Sequence, residues 1–322
     1  MNELADFDER LDALARRVLG GPATALTRLT GGASLELWAF AVGDAGYVLR
    51  RSPETRLFGD MATLNLSTEA AVVKAAGAAG VPAAEVVHVL APEDALGSGF
   101  VATRMPGEAM GRRIVRDPTF DAVRPVLARR CGEVLARIHA VDPHSLPPLP
   151  SRDPAAAVDK LRDQLATYGE PRPVFEAALV WLRARCPPEE TPRLVHGDFR
   201  TGNFLLTPGG LSAVLDWEGA HLGDPMEDLG WLCMPVWRFG RLDRPVGGFG
   251  SRADLFDGYA TPVDPARVRW WEVYGMLRWG LTCMAMAHAF LGGDRGIERG
   301  AVGRRASEAE LELMHAMTGG TD

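Results

Sequence analysis

The chain has 322 residues, 47% hydrophobic and 24% charged, with a formal net charge of −7 and a pI near 5.6. That length suggests two domains or one bilobal unit. The composition argues against long-range disorder, and an acidic chain lacks the basic face of a dedicated nucleic-acid binder. Only two of the 35 basic residues are lysines, Lys74 and Lys160, so chemistry that calls for a cation falls mostly to arginine.

In chain order, the acidic start with no apolar segment behind it reads as no secretory signal. Leu4, Phe7, Leu11, Leu14, Ala15 and Val18 recur at helical spacing and predict a helix over 3–19. The period then changes to that of strands at 26–29, 35–42 and 47–51, separated by Gly31-Gly32 and by Gly43-Asp44-Ala45-Gly46, a hairpin signal. A helix over 67–79 stops at Gly80 and Pro82, and strands follow at 86–90 and 100–104. Beyond Pro106-Gly107 the pattern is mainly helical. A long amphipathic helix over 120–141 is interrupted early by Pro125, a Pro-rich connector covers 143–154, and helices follow at 155–168 and 173–185. Short strands and turns lie between Leu194 and Trp217. Helices resume at Pro225, and the last long one, over 265–291, is rich in Trp and Met. Its greasiest part, from Leu281 to Leu291, is too short to span a bilayer and carries His288. Cys131, Cys186, Cys233 and Cys283 form no C-x-x-C pair and read as isolated buried thiols. A cytoplasmic protein with no membrane or nucleic-acid partner is expected.

The chemistry sits in Val195-His196-Gly197-Asp198-Phe199-Arg200-Thr201-Gly202-Asn203, whose H-x-D-x-x-x-x-N pattern has the spacing of a kinase catalytic loop. An apolar strand over 211–215 then delivers Asp216 at its end, where a magnesium-binding aspartate belongs. Phosphoryl transfer spreads charge over the γ-phosphate oxygens, so positioning and electrostatics carry most of the catalysis. Asp198 would receive the proton of the acceptor hydroxyl, or orient it, and Arg200 would reach the transferring group. Asn203 and Asp216 would give oxygen ligands to Mg²⁺. His196 is expected to support the loop.

With these motifs the chain resembles the aminoglycoside phosphotransferase and choline kinase-like family. Asp216-Trp217-Glu218 takes the place of the D-F-G triplet, and the segment from His221 to Gly230 looks like the G-D-P-x-x-D-L segment that follows it. Leu49-Arg50-Arg51 and the loop from His196 to Asn203 look closest to the kinase-like domains fused to some acyl-CoA dehydrogenases. No A-P-E segment follows Asp216, so a protein kinase is not expected. The resemblance implies an α+β, bilobal protein-kinase-like fold: a small five-stranded N-lobe with one main helix over 1–106, and a larger, mainly helical C-lobe over 107–322. ATP and Mg²⁺ would be the cofactors, bound between the lobes.

Gly31-Gly32-Ala33-Ser34 lies where a phosphate-covering loop should be, with Gly32 and Ser34 as donors. Strand alternation puts Val48 and Arg50 on one face. Val48 would roof the adenine, Arg50 would stand in for the usual lysine and pair with Glu69, and Arg51 would be a solvated surface residue. The hinge, Ala102-Thr103-Arg104-Met105, would read the adenine edge through the backbone of Thr103 and Met105. Asp228 is expected to fix the catalytic loop by hydrogen bonds and Asp224 to cap a helix. Glu218 would assist a second metal or serve the structure.

Trp237, Arg238, Arg241 and Arg244 fall in an irregular loop, which with Arg278 would repel a polycationic aminoglycoside. The expected activity is γ-phosphate transfer to a hydroxyl of a neutral or anionic small molecule, such as a hydroxyacyl compound. One alternative is a catalytically weak pseudokinase acting as a nucleotide-binding module. The other changes only the substrate, to an aminoglycoside or a choline-like amine.

Overall fold

A computed structural model describes residues 3–29, 35–52, 63–293 and 296–319. The first helix, α1 (Glu3–Leu19), buries Phe7, Leu11, Leu14 and Ala15. Strands β1 (Thr24–Leu29), β2 (Glu36–Val42) and β3 (Ala45–Ser52) precede α2 (Leu66–Ala78), and β4 (Val86–Val89) and β5 (Ser98–Thr103) complete an antiparallel sheet of order β1-β2-β3-β5-β4. The β2–β3 turn takes only two residues, with Gly43 at φ 57° in its first position, as a II′-type hairpin requires. The third strand therefore starts at Ala45, two residues before the position expected from the pattern.

Side-chain alternation gives this sheet two apolar faces. Trp38, Phe40, Leu49 and Val101 pack against α1, whereas Phe100 and Ala102 join the core shared with α2 and the rest of the molecule. Arg51 belongs to the α1 side, and this corrects the expectation of a solvated residue. It is only 14% exposed, pairs with Glu36 at 2.7 Å and lies 4.2 Å from the centroid of the Phe7 ring. Burial of α1 on that face is what takes Arg51 out of solvent.

The C-lobe begins with α3 (Gly111–Arg116), α4 (Arg124–His139), α5 (Pro154–Tyr168) and α6 (Pro173–Ala184). Two small antiparallel ribbons follow, β6 (Arg193–Val195) with β9 (His221–Gly223) and β7 (Phe204–Thr207) with β8 (Gly210–Val214). Then come α7 (Met226–Cys233), α8 (Arg252–Tyr259), α9 (Pro265–Leu291), α10 (Ile297–Gly303) and α11 (Ala306–Thr318). Pro125 does not interrupt a longer helix. It lies in the first turn of α4, where a missing N–H leaves no hydrogen bond unmade, and Phe120 belongs to a separate 3₁₀ turn. The connector is also less irregular than its prolines suggest: it holds a 3₁₀ turn at Pro143–Ser145, and Asp153 caps α5 by accepting from Ala156 N at 2.7 Å. No disulfide joins the cysteines, and Cys186 is half-buried where the other three are buried. Among the described residues, no helix is long and apolar enough to cross a membrane.

Backbone bonds tie the lobes together beneath the cleft: Leu64 N donates to Glu218 O and Val214 N to Pro82 O, both at 2.8 Å. Within the C-lobe, α4 and α8 meet backbone to backbone. A Cβ on Gly132 would stand 2.7 Å from Tyr259 N, and one on Gly258 would stand 2.7 Å from the Arg129 carbonyl carbon. Gly132→Ala should push these helices apart at a cost of about 1–3 kcal/mol, seen as a melting midpoint several degrees below wild type in calorimetry.

Candidate active site

The loop between β6 and β7 carries residues 196–203 and is held from below by one carboxylate. Asp228, in the first turn of α7, accepts from His196 N at 2.8 Å and from Gly197 N at 2.9 Å. His139, at the end of α4, gives its Nε2 proton to the same carboxylate at 3.1 Å and takes a hydrogen bond from the Tyr259 hydroxyl at 2.9 Å. Asp228 is fully buried. Burial alone would raise its pKa, but the donors and the nearby histidines hold it below the usual carboxylate range. The His196 ring accepts from Asp198 N at Nδ1, 3.2 Å, which leaves its proton on Nε2 to donate to Leu215 O at 2.9 Å. Burial pushes its pKa down, so the ring is a neutral strut.

Every atom of the Asp198 carboxylate has a partner. Its Oδ1 accepts from Trp231 Nε1 at 2.7 Å and from Arg200 Nε at 3.0 Å, and its Oδ2 accepts from Asn203 Nδ2 at 2.5 Å. Since Asn203 spends its amide hydrogens on Asp198, its Oδ1 is left as an acceptor with no donor among the described residues. The guanidinium of Arg200 lies 4.3 Å from the centroid of the Trp237 ring.

Asp216 follows β8 in the left-handed region, at φ 57° and ψ 64°. Aspartate tolerates this region better than most residues, and the turn aims its carboxylate across the cleft. There Arg50, from β3, gathers three carboxylates: Glu69 at 3.2 Å, Asp216 at 2.8 Å and Glu218 at 2.9 Å. Burial works against the charge of Arg50, but these anions outweigh it and raise its pKa. Burial pushes Glu69 up to about 7 against the pull of Arg50, and it also raises Glu218. One guanidinium among three carboxylates leaves an excess of negative charge. Asp216 and Asn203 Oδ1, both hard oxygen donors, therefore suit a divalent cation that takes its remaining ligands from phosphate and water. Among the described residues, no group of three or more His, Cys, Asp or Glu is arranged to hold a metal by itself.

Between these groups and β5 lies a cleft of about 660 Å³, a size suited to a nucleotide. Val48 lines it from the sheet, and Leu205 from β7 lines it from the C-lobe. The chain from Ala102 to Met105 also lines it, but its amides are not equivalent. Thr103 N donates to Glu85 O and Arg104 N to Gly46 O, both at 2.9 Å, so neither can read a ligand, while Met105 N has no acceptor among the described residues. Gly32 and Ser34 lie outside the described residues.

On the acceptor side the arrangement departs from the pattern of a cationic loop. Trp237 is buried, packed on Trp231 and Trp279 with ring centroids 5.8 and 5.4 Å away, and its Nε1 has no acceptor among the described residues. Arg238 is buried as well, donating to Cys233 O at 2.8 Å and facing Glu272, so it cannot meet a substrate. Arg241 and Arg244 share Asp243 at the surface. The tryptophans draw the start of this segment into the core, which the glycines around it conceal. Arg278 does approach the loop: it covers Trp231 at 4.8 Å and donates to Gly197 O at 3.3 Å. Trp231, His139 and Leu205 were not expected at the site. Signals for them exist in the pattern, since Trp231 lies three residues past Asp228 on one helix, His139 ends an apolar helix face, and Leu205 alternates with the buried Phe204 and Leu206.

A five-stranded antiparallel lobe over a helical lobe, with this loop and Asp216 at their junction, defines a kinase-like fold. Residues 25–271 match the profile of the phosphotransferase enzyme family APH, and the chain belongs to that family. Over 244 residues it is 27% identical to acyl-CoA dehydrogenase family member 10 of Mus musculus, covering 71% of this chain but only 22% of that protein. A crystal structure from Ralstonia eutropha, provisionally assigned as an aminoglycoside phosphotransferase, superposes with a TM-score of 0.77 at 22% identity, covering 96% of this chain and 98% of that one. The aminoglycoside phosphotransferase APH(4)-Ia, solved with ADP and hygromycin B, superposes with a TM-score of 0.65 at 19% identity, covering 97% and 99%.

Behind the loop, Glu227 is buried against Arg152, His221 at 3.1 Å and Arg278 at 3.9 Å. Burial would raise its pKa, but Arg152 and His221 hold it down to about 2. A depressed carboxylate stabilises the fold above its unfolded pKa of 4.5 and loses that contribution as pH falls toward about 2. Glu227→Gln should remove on the order of 3 kcal/mol at pH 7. It should also flatten the fall of stability between pH 4.5 and 2 in urea titrations run across pH.

Proposed function

We propose that the chain is an ATP- and Mg²⁺-dependent phosphotransferase acting on a hydroxyl of a neutral or anionic small molecule. The observation that carries this reading is the Asp198 carboxylate, held by three donors at the mouth of a nucleotide-sized cleft that also holds Arg50 and Asp216. The solved ADP complex of APH(4)-Ia supports adenine nucleotide as the donor class. We take residues 1–106 as the nucleotide lobe and 107–322 as the acceptor lobe. Four cysteines without a disulfide fit a reducing, cytoplasmic setting.

In this reading Val48 and Leu205 enclose the adenine, Met105 N–H reads its edge, and Gly32 and Ser34 cover the phosphates. Arg50 binds the α- and β-phosphates with Glu69 behind it. Asn203 and Asp216 would hold Mg²⁺, with Glu218 beside them, and the ion would neutralise charge on the phosphate oxygens. Asp198 orients the acceptor hydroxyl and takes its proton as that oxygen bonds to the γ-phosphorus and the bond to the β-phosphate oxygen breaks. Arg200 stabilises charge on the transferring group. His196 and Asp228 keep the loop in shape.

Beside Asp198 the cations available to an acceptor are Arg200 and Arg278, two guanidiniums on tryptophan faces. They favour an acceptor without positive charge, and similarity to a protein named for acyl-CoA dehydrogenation favours a hydroxyacyl compound. The hygromycin B complex of a structural neighbour favours the aminoglycoside alternative.

Labelled ATP with Mg²⁺ and an acceptor panel separates the readings. Turnover should appear with hydroxy acids or their CoA esters and be abolished in Asp198→Asn; turnover of aminoglycosides or choline alone would replace the acceptor class. A wild type that consumes no ATP with any acceptor yet binds it would be the nucleotide-binding module instead. Arg50→Ala should raise the KM for ATP about ten- to a hundredfold, the loss of one charge-assisted contact, and also lower kcat. Unchanged values would remove Arg50 from the phosphate site.

A further inference from the structure

We infer that Trp231 is a positioning residue for Asp198, and that the acceptor hydroxyl is received by Asp198 Oδ2. The inference rests on the phosphotransferase reading and adds to it one residue and one atom. An ionised carboxylate offers about four acceptor positions, two on each oxygen. At Asp198, Oδ1 already serves Trp231 Nε1 at 2.7 Å and Arg200 Nε at 3.0 Å, while Oδ2 serves Asn203 Nδ2 alone at 2.5 Å. One position remains, on Oδ2. The acceptor O–H donates there, and its proton moves to Oδ2 as the new O–P bond forms and the bond from phosphorus to the β-phosphate oxygen breaks.

Trp231 suits this task for three reasons. Its indole N–H only donates and does not titrate, so it orients the carboxylate without competing for the proton. It cannot swing away: it is 6% exposed, with Trp237 against it at 5.8 Å and the Arg278 guanidinium over it at 4.8 Å. It also stands one turn past Asp228 on α7, so the same short helix grips the loop at His196 and Gly197 and sets the carboxylate of Asp198. Arg278 closes the arrangement from α9 by donating to Gly197 O at 3.3 Å. Arg200, the other donor to Oδ1, is a long side chain that would also reach the phosphoryl group, which leaves Trp231 as the fixed reference.

Trp231→Phe keeps a ring for Arg278 and Trp237 to pack on and removes only the donor. With Mg²⁺-ATP and water as the acceptor, kcat should fall about ten- to a hundredfold, with the KM for ATP changed by less than about twofold. A role in packing alone would leave both values near wild type. The contact is also read without turnover. The eight tryptophans give eight indole N–H resonances. In Asp198→Ala, the one that is missing from Trp231→Phe should move upfield and exchange faster. If Trp231→Phe does not fold, movement of one indole resonance in Asp198→Ala still supports the contact, and a spectrum in which none moves overturns it. A kcat within about twofold of wild type in Trp231→Phe, in an enzyme that Asp198→Asn inactivates, overturns the positioning role and leaves the phosphotransferase reading intact. Hydrolysis that does not depend on Asp198 overturns that reading, and with it the assignment of the hydroxyl to Oδ2.

Discussion

The Asp228 carboxylate, buried without access to water, is the constraint on which the helical lobe of the molecule depends. A charge in that position is tolerable only if donors replace its hydration. Here they are the backbone N–H groups of His196 and Gly197 and the imidazole of His139. These donors come from two separate parts of the chain and the carboxylate from a third, so meeting its need brings α4, α7 and the loop after β6 to a common point. Tyr259 extends the set to α8, and the backbone-to-backbone approach at Gly132 and Gly258 lets that helix come close enough.

Arg50 plays the matching part between the lobes. It reaches from the sheet to Glu69 on α2 and to Asp216 and Glu218 across the cleft. An arginine presents several donors in a fixed fork, so it can address three carboxylates at once, whereas a lysine offers one compact charge. The scarcity of lysine in this chain thus has a structural counterpart at the site. The surplus of carboxylates around Arg50 also makes this end of the cleft receptive to a cation, while the guanidinium itself suits phosphate.

Cations elsewhere at the site rest on rings. Arg200 lies on Trp237 and Arg278 on Trp231, and the two rings pack on one another. Such faces attract positive charge and hold a long side chain at small entropic cost. Asp198 is thereby surrounded by a rigid aromatic wall whose polar edge, the Trp231 N–H, points at its carboxylate.

Much of the fold was legible in the sequence because it rests on local rules. The periods of α1 and α9, the Gly43 turn and the alternation of β3 follow from 3.6- and 2-residue repeats and from turn chemistry, and they lie close to where the pattern puts them. The spacing from His196 to Asn203 and on to Asp216 is likewise a pattern along the chain, and the fold brings Asp198 and Asp216 to the lining of one cleft. What lay beyond the sequence was set by groups that approach from distant segments. Arg51 became half-buried because α1 covers it, Arg238 became buried because Glu272 and the Cys233 carbonyl receive it, and the Thr103 amide was committed because Glu85 lies opposite. Trp231 and His139 entered the site through the same kind of long-range hydrogen bond. The sequence by itself determined which elements form and which segment holds the H-x-D-x-x-x-x-N motif, because hydrophobic period and motif spacing are properties of neighbours along the chain. Only the tertiary structure decided which donors each carboxylate receives, because a buried charge takes its partners from whatever the fold brings within three ångströms or so.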